Sequence, residues 1–291
     1  MTLAIRLLES PEDMTSVEEL QRLIWPGSET EIVPAHMLIT AAHNGGMVLG
    51  AFEGKMIVGF AFGFPGLETT PDGPRPKHCS HMLGIHPDCR DSGIGFALKR
   101  AQWQMVRHQG LDHVTWTYDP LLSRNAHLNL TRLGAVCSTY LRSEYGDMRD
   151  GLNAGLPSDR FQVDWWVNTP RVEHRLGKRP RRPLKLDNFS LADLQPLYTP
   201  LYGTSNLPRP PEHFSPLTEK LALAEIPVDF LRLKEADFSL ARDWRFFSRE
   251  VFETAFHAGY IATDFIHEKT GRPRSFYVLT HGESTLDLKI P

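Results

Sequence analysis

Cysteine is scarce in this chain of 291 residues: only Cys79, Cys89 and Cys137 occur. An odd, scattered set without metal-like spacing argues against a disulfide frame and fits reduced thiols in a cytoplasmic setting. Long apolar runs are missing, so no membrane span is expected. The opening residues, Met1 to Glu9, turn polar too soon for a secretory signal. An excess of one charge is missing too. Thirty-two Lys and Arg face 35 Asp and Glu, a net charge of −3, which argues against a nucleic-acid partner. No internal repeat is evident. What remains is an ordinary globular composition, 41% hydrophobic and 23% charged, long enough for two domains.

Local patterns order the first half. Ala4 to Leu8 reads as a strand. Pro11 opens a helix with Val17, Leu20, Leu23 and Ile24 near one face. A second helix is expected from Pro34 to His43. Met47–Phe52 and Met56–Phe64, joined by Glu53-Gly54-Lys55, form a hairpin signal. Pro65 to Lys77, rich in proline and glycine, reads as a loop. A strand at 79–85 and a helix at 95–109 follow, the helix burying Leu98, Ala101, Trp103, Met105 and Val106. Strands at 114–118, 135–141 and 161–167 flank a short helix from Ser123 to Leu133. Strand, helix and strand at 79–118 imply a parallel pair.

Between that strand and helix lies His86-Pro87-Asp88-Cys89-Arg90-Asp91-Ser92-Gly93-Ile94-Gly95. A glycine loop opening a helix gathers backbone N–H groups and the positive helix end at one spot, which suits a pyrophosphate. Gly93 and Gly95 leave out Cβ atoms that would block close approach or a positive φ. Arg90 can add a charge-assisted bond to phosphate oxygen. A Walker loop is absent. The dinucleotide fingerprint lacks its third glycine, since position 98 is Leu98, although Asp119 mimics its ribose-binding acid. The remaining option is Arg-x-x-Gly-x-Gly after a strand and x-Pro.

That motif resembles the acyl-CoA-binding loop of the GNAT superfamily of N-acyltransferases. A second segment, Asn125-Ala126-x-x-Asn129-x-x-x-Leu133-Gly134-Ala135, is similar to the superfamily's segment near its C-terminus. The run Trp116 to Ala126 resembles a subfamily of large bacterial acyltransferases, some linked to amino-acid N-acylation. The resemblance covers residues 1–167. It implies an α/β (α+β) fold: a mixed, mostly antiparallel sheet with a central parallel pair and helices on both faces. Residues 168–188, with Arg171, Arg175, Lys178, Arg179, Arg181, Arg182 and Lys185, read as a basic linker. Residues 189–291 read as a smaller α+β domain of unknown role. It has a helix at 239–258 and a hairpin of Tyr260–Ile266 with Ser275–Thr280.

The resemblance further implies acetyl-CoA or another acyl-CoA as co-substrate, no metal, and a small-molecule amine, possibly an amino acid, as acceptor. The pantetheine arm would pair with Leu83, Gly84 and Ile85. The diphosphate would sit on Arg90, Asp91, Ser92, Gly93, Ile94 and Gly95. Asn125 would reach the pantetheine or acyl end. His81 has a side chain suited to accepting a proton near neutrality, with a structural role in the sheet as the alternative. Alternation sets Cys79 and His81 against His78 and His86, so these four are not expected to share a metal. Asp119 is an alternative base or amine anchor. The superfamily's usual tyrosine acid falls at about Leu130, so Tyr140, Tyr145 or water would take its place. Arg142, Tyr145 and Arg160 are candidate acceptor contacts beside the long 145–160 loop. Without that acid, a non-catalytic CoA-binding module stands as the competing function.

Overall fold

A computed structural model describes residues 3–27, 29–148, 154–177, 182, 184–190 and 194–282. The chain forms two compact units. The first holds the chain up to Trp116 and also Trp166–Asn168, while the second contains Thr117–Met148, Gly155–Trp165 and everything from Thr169. Each carries its own helices and strands.

In the first unit the order is β1 (Leu3–Leu7), α1 (Pro11–Ile24), α2 (Ala35–His43), β2 (Met47–Glu53), β3 (Met56–Thr70), β4 (Gly73–Ile85), α3 (Ile94–His108) and β5 (His113–Tyr118). The strands lie side by side as β1-β2-β3-β4-β5. Neighbours are antiparallel except β4 and β5, which are parallel. Ser10 starts α1, its hydroxyl accepting the Asp13 N–H at 3.1 Å. Met14, Val17, Leu20 and Ile24 of α1 then pack on Leu8, Val48, Phe60 and Phe62. Leu23, expected on that face, is exposed, and Gln21 is buried instead. Its amide bonds both the N–H and the C=O of Val33.

Two stretches differ from the sequence reading for a physical reason. Residues 65–77 are not a loop, because β3 and β4 continue as a long hairpin arm down to Thr70 paired with Gly73. β2 stops pairing with β3 at Gly63, and β5 starts pairing with β4 at His78. Pro65, Pro74 and Pro76 therefore lie where each strand has one open edge, and there a missing N–H is tolerated. On α3, the buried face runs Ile94, Leu98, Lys99, Gln102 and Val106. Lys99 and Gln102 replace the apolar Ala101, Trp103 and Met105 that hydrophobicity selects.

In the second unit, α4 (Ser123–Ala126) runs into a π-helical turn at 127–132. Then come β6 (Val136–Leu141), β7 (Arg160–Trp166), α5 (Pro170–Leu176), α6 (Leu186–Ser190), the short β8 (Leu201–Tyr202) and β9 (Pro208–Arg209), β10 (Leu221–Ile226), α7 (Phe230–Ala236), α8 (Phe238–His257), β11 (Tyr260–Glu268) and β12 (Arg274–His281). Here the order is β7-β6-β11-β12-β10, antiparallel throughout. Phe161 of β7 is ringed by Phe252 and Phe256 of α8 and Tyr277 of β12, with centroids 4.8–5.5 Å away. Within the segment read as a basic linker, Arg175 is buried and donates to the Thr131 carbonyl and Asp264, each at 2.7 Å. Lys178, Arg179 and Arg181 of that segment lie outside the described residues. No helix among the described residues is long and apolar enough to cross a membrane.

Candidate functional site

β4 carries an extra residue opposite β3. Ser80 pairs with Gly63 and Met82 with Phe62, so His81 has no opposite number and forms a bulge. The bulge inverts which side chains face which side. Upstream, His78 and Ser80 reach Gln102 of α3. Downstream, Leu83 and Ile85 lie against Gly95 of α3, while Met82 packs into the α1 core. α1 and α3 thus cover opposite faces. His81 projects on the α1 side, its ring 5.9 Å from those of Phe62 and Phe64. The residue is exposed, yet desolvation by its surroundings lowers the imidazole pKa below its ordinary value.

The parallel pairing of β4 with β5 consists of two residue pairs, His78 with Val114 and Cys79 with Thr115. Past Cys79, no strand among the described residues joins that edge of β4, although its other edge stays paired with β3 to Ile85. Leu83, Gly84 and Ile85 therefore present one open backbone edge. Gly84 is held there by crowding: a Cβ on it would meet Phe60 at 2.5 Å and Ile24 at 2.7 Å.

The loop after β4 ends at the start of α3. Asp91 (φ 63°) and Gly93 (φ 86°) are both left-handed, a conformation that suits the glycine and strains the aspartate. Ser92 ties the loop down by donating to the Cys89 carbonyl at 2.6 Å. α1, α7 and α8 are each closed by a side chain, from Ser10, Asp229 and Asp237. α3 is entered through Gly93 with no side-chain cap and no acidic residue in its first turn. Among the described residues no protein acceptor meets the N–H groups of Gly93, Ile94 and Gly95. Arg90, Asp91, Ser92 and Gly93 are exposed beside them. Uncapped amides with the positive helix end, and an arginine nearby, are suited to bind an anion.

Sequence reasoning missed a buried polar cluster between α3 and the end of the β4–β5 pairing. Lys99 of α3, 2% exposed, donates to Ser80 Oγ at 2.8 Å and Gln102 Oε1 at 3.1 Å. Its Nζ lies 3.7 Å from the centre of the Trp116 ring on β5. Gln102 Nε2 stands 3.1 Å from His78 Nε2, and His78 Nδ1 is buried without a partner. Burial brings the Lys99 pKa down to about 7. Burial, with the Lys99 charge, brings that of His78 to about 4. The recoverable signal was spacing: Lys99 and Gln102 share one helix face with Leu98 and Val106.

The other sequence-derived candidates lie in the second unit. Asp119 is buried and engaged on both oxygens by Arg245, one bond measuring 2.9 Å. Burial opposes the Arg245 charge, but Asp119 outweighs it and the guanidinium pKa is raised. Tyr140 donates to Asp159 at 2.7 Å, and Asp159 also receives both arms of Arg249. Burial and that carboxylate raise the Tyr140 pKa. Arg142 is paired with Glu253 at 2.5 Å. Arg160 bonds the Asp159 carbonyl at 2.9 Å and lies over the Tyr145 ring, while Tyr145 Oη meets Thr117 Oγ1 at 2.7 Å. Asn125 is half-buried on α4, and Leu130 is fully buried in the π turn. Residues 149–153 of the 145–160 loop lie outside the described residues. No cluster of three or more potential metal-ligating side chains is found among the described residues.

Residues 14–134 match the model of the Acetyltransferase (GNAT) family. No curated protein matches the chain significantly. Among solved structures, the chain is similar to an N-acetyltransferase from Staphylococcus aureus, at 12% identity and TM-score 0.45, covering 58% of this chain and 100% of that one. It is also similar to yncA from Salmonella typhimurium, determined with its cofactor acetyl-CoA, at 16% identity and TM-score 0.45, covering 58% of this chain and 95% of that one. A third is an acetyltransferase of the GNAT family from Streptococcus pneumoniae, at 16% identity and TM-score 0.43, covering 56% of this chain and 98% of that one.

Proposed function

We propose, from the match of residues 14–134 to the GNAT acetyltransferase family model, that this protein transfers an acyl group, most simply acetyl, from acyl-CoA to the primary amine of a small molecule such as an amino acid. The observation that carries the reading is the row of uncapped amides at Gly93, Ile94 and Gly95, next to the open edge of β4. On this reading the diphosphate sits on residues 90–95, with Arg90 as an additional donor. The pantetheine arm then runs along Leu83, Gly84 and Ile85 as an added strand.

Chemistry follows from where the arm would end. The neutral amine attacks the thioester carbonyl, a C–N bond forms and the C–S bond breaks. His81, at the bulge on the open stretch of β4, takes the amine proton directly or through water. Its lowered pKa keeps it unprotonated and able to do so at neutral pH. A backbone N–H of the bulged strand bonds the developing oxyanion. The leaving thiolate needs little help, because thiols ionise near pH 8.5. Asp119 and Tyr140, each tied to an arginine–carboxylate pair, are assigned to supporting the second unit. Asn125 keeps the arm-contacting role the resemblance implies. Arg142, Tyr145 and Arg160 remain the acceptor-side candidates. We take residues 1–167 as the acyl-CoA-binding domain, 168–188 as a connector and 189–291 as an added domain.

One observation favours a second reading, a CoA-binding module without catalysis: the position of the usual tyrosine acid is the buried Leu130. Free-thiol release from acetyl-CoA, followed across a panel of amino acids and other amines, separates the two. Acceptor-dependent release supports the transferase. CoA binding with no acceptor-dependent release supports the module.

A further inference from the structure

Between α3 and the β1–β2 edge of the sheet lies an open groove of about 670 Å³, a volume in the range of small-molecule sites. Ile5, Leu7 and Leu49 line its strand side, and Phe96, Ala97 and Arg100 line its helix side. No acidic side chain lines it among the described residues. Phe96 directly follows Gly95, the last of the uncapped residues at the start of α3. Helix N–H groups point along the axis, so an anion they hold sits at the helix end, bordered by the side chains of the first turn. Arg100 stands one turn beyond Phe96 on the same face, with about 5–6 Å between their Cβ atoms, and helical side chains lean back toward that end. Arg100 is exposed, and its guanidinium has no protein partner among the described residues. Arg6, the other cation lining the groove, is already held by Asp13 through two bonds of 2.7 Å.

We propose that this groove holds the nucleotide half of the coenzyme, with the adenine against Phe96 and Ala97 and the ribose 3′-phosphate paired with Arg100. The inference rests on the proposed acyl-CoA site. The diphosphate at the helix end then marks the bend of the ligand. From there the pantetheine arm follows β4, and the nucleotide turns the other way, toward β1 and β2. The lining matches the chemistry of each part. A base needs a flat apolar surface, and an aromatic ring with aliphatic neighbours supplies one. A phosphate needs a cation whose donors are not already spent on a carboxylate, and Arg100 meets that condition where Arg6 does not. With no acid in the lining, nothing there repels the phosphate.

The test is calorimetric titration of the full chain with CoA, with 3′-dephospho-CoA and with 4′-phosphopantetheine, which lacks the nucleotide. Wild type is expected to bind CoA about tenfold more tightly than dephospho-CoA, the effect of one charge-assisted contact. Arg100→Gln is expected to lose that preference, with dephospho-CoA affinity kept within about twofold. Ala97→Leu fills the groove and is expected to weaken CoA and dephospho-CoA alike, about tenfold, while 4′-phosphopantetheine binds as to wild type. Equal affinity of wild type for CoA and dephospho-CoA overturns the inference. So does a preference for CoA that survives in Arg100→Gln, because the 3′-phosphate is then held elsewhere. Undiminished CoA binding in Ala97→Leu overturns the placement of the adenine. In each of these results CoA still binds, so the acyl-CoA site stands. Absence of CoA binding to wild type would instead remove the acyl-CoA reading itself, and this inference with it.

Discussion

Replacing Gly95 with alanine should stabilise the protein and weaken its grip on coenzyme at once. A Cβ built on Gly95 meets Leu83 at 3.8 Å and Ile85 at 3.9 and 4.0 Å, all ordinary contacts. The chain itself therefore does not demand glycine here. Alanine in a helix gains up to about 1 kcal/mol over glycine, less in the first turn, so about 0.5 kcal/mol is expected. That corresponds to a rise of roughly 1–2 °C in melting temperature. The new methyl would stand between the uncapped amides and the end of β4, where the diphosphate meets the pantetheine arm. For wild type, CoA at 100 times its Kd adds about 2.7 kcal/mol of stability. If Gly95→Ala weakens binding a hundredfold, the same concentration adds only about 0.4 kcal/mol. The assay is thermal unfolding with and without CoA. An undiminished CoA shift in Gly95→Ala would refute the loop assignment. A melting temperature lowered by several degrees without CoA would refute the packing argument.

Other expectations follow from single contacts. His81→Ala should lower kcat about a hundredfold while CoA affinity stays within about twofold, measured by thiol release and calorimetry. Because the His81 pKa is lowered, its unprotonated form persists below the ordinary imidazole value, so the acid limb of kcat/KM should fall below pH 6.5. An acid limb above that pH would contradict the assignment. Gly63→Ala places its Cβ 2.2 Å from His78 Nε2 and 2.7 Å from the Cys79 carbonyl, and should cost about 1–3 kcal/mol in urea unfolding. Adding His78→Ala should recover part of that loss; strict additivity would deny the contact. Arg245→Met leaves the buried Asp119 without its partner and should cost about 3–5 kcal/mol, with partial recovery on adding Asp119→Asn.

Legibility followed range. The strand, glycine loop and α3 start could be read because each is written in consecutive residues: an apolar run, two glycines, then a helical period. The parallel β4–β5 pair followed from the crossover rule. The arm at 65–77 was missed because prolines read locally as loop signals, while their tolerance depends on which strand edges the rest of the sheet leaves open. Lys99 and Gln102 were missed because a polar residue on a helix is assigned to solvent by default. Here Ser80, at the fork of two strands, gives them partners nineteen and twenty-two residues away. Asp119 looked like a base in isolation, and its partner Arg245 lies 126 residues along the chain. The contacts that tie residues 117–148 to the C-terminal part are as long in range, such as Asp119 with Arg245 and Arg142 with Glu253.

The claim on which the account turns is that the Gly93, Ile94 and Gly95 amides hold the coenzyme diphosphate. Titrating CoA into isotopically labelled protein while following amide resonances tests it directly. The account predicts that these three signals move most, with Arg90 to Ser92 next. Saturable CoA binding that leaves those three resonances in place would contradict it.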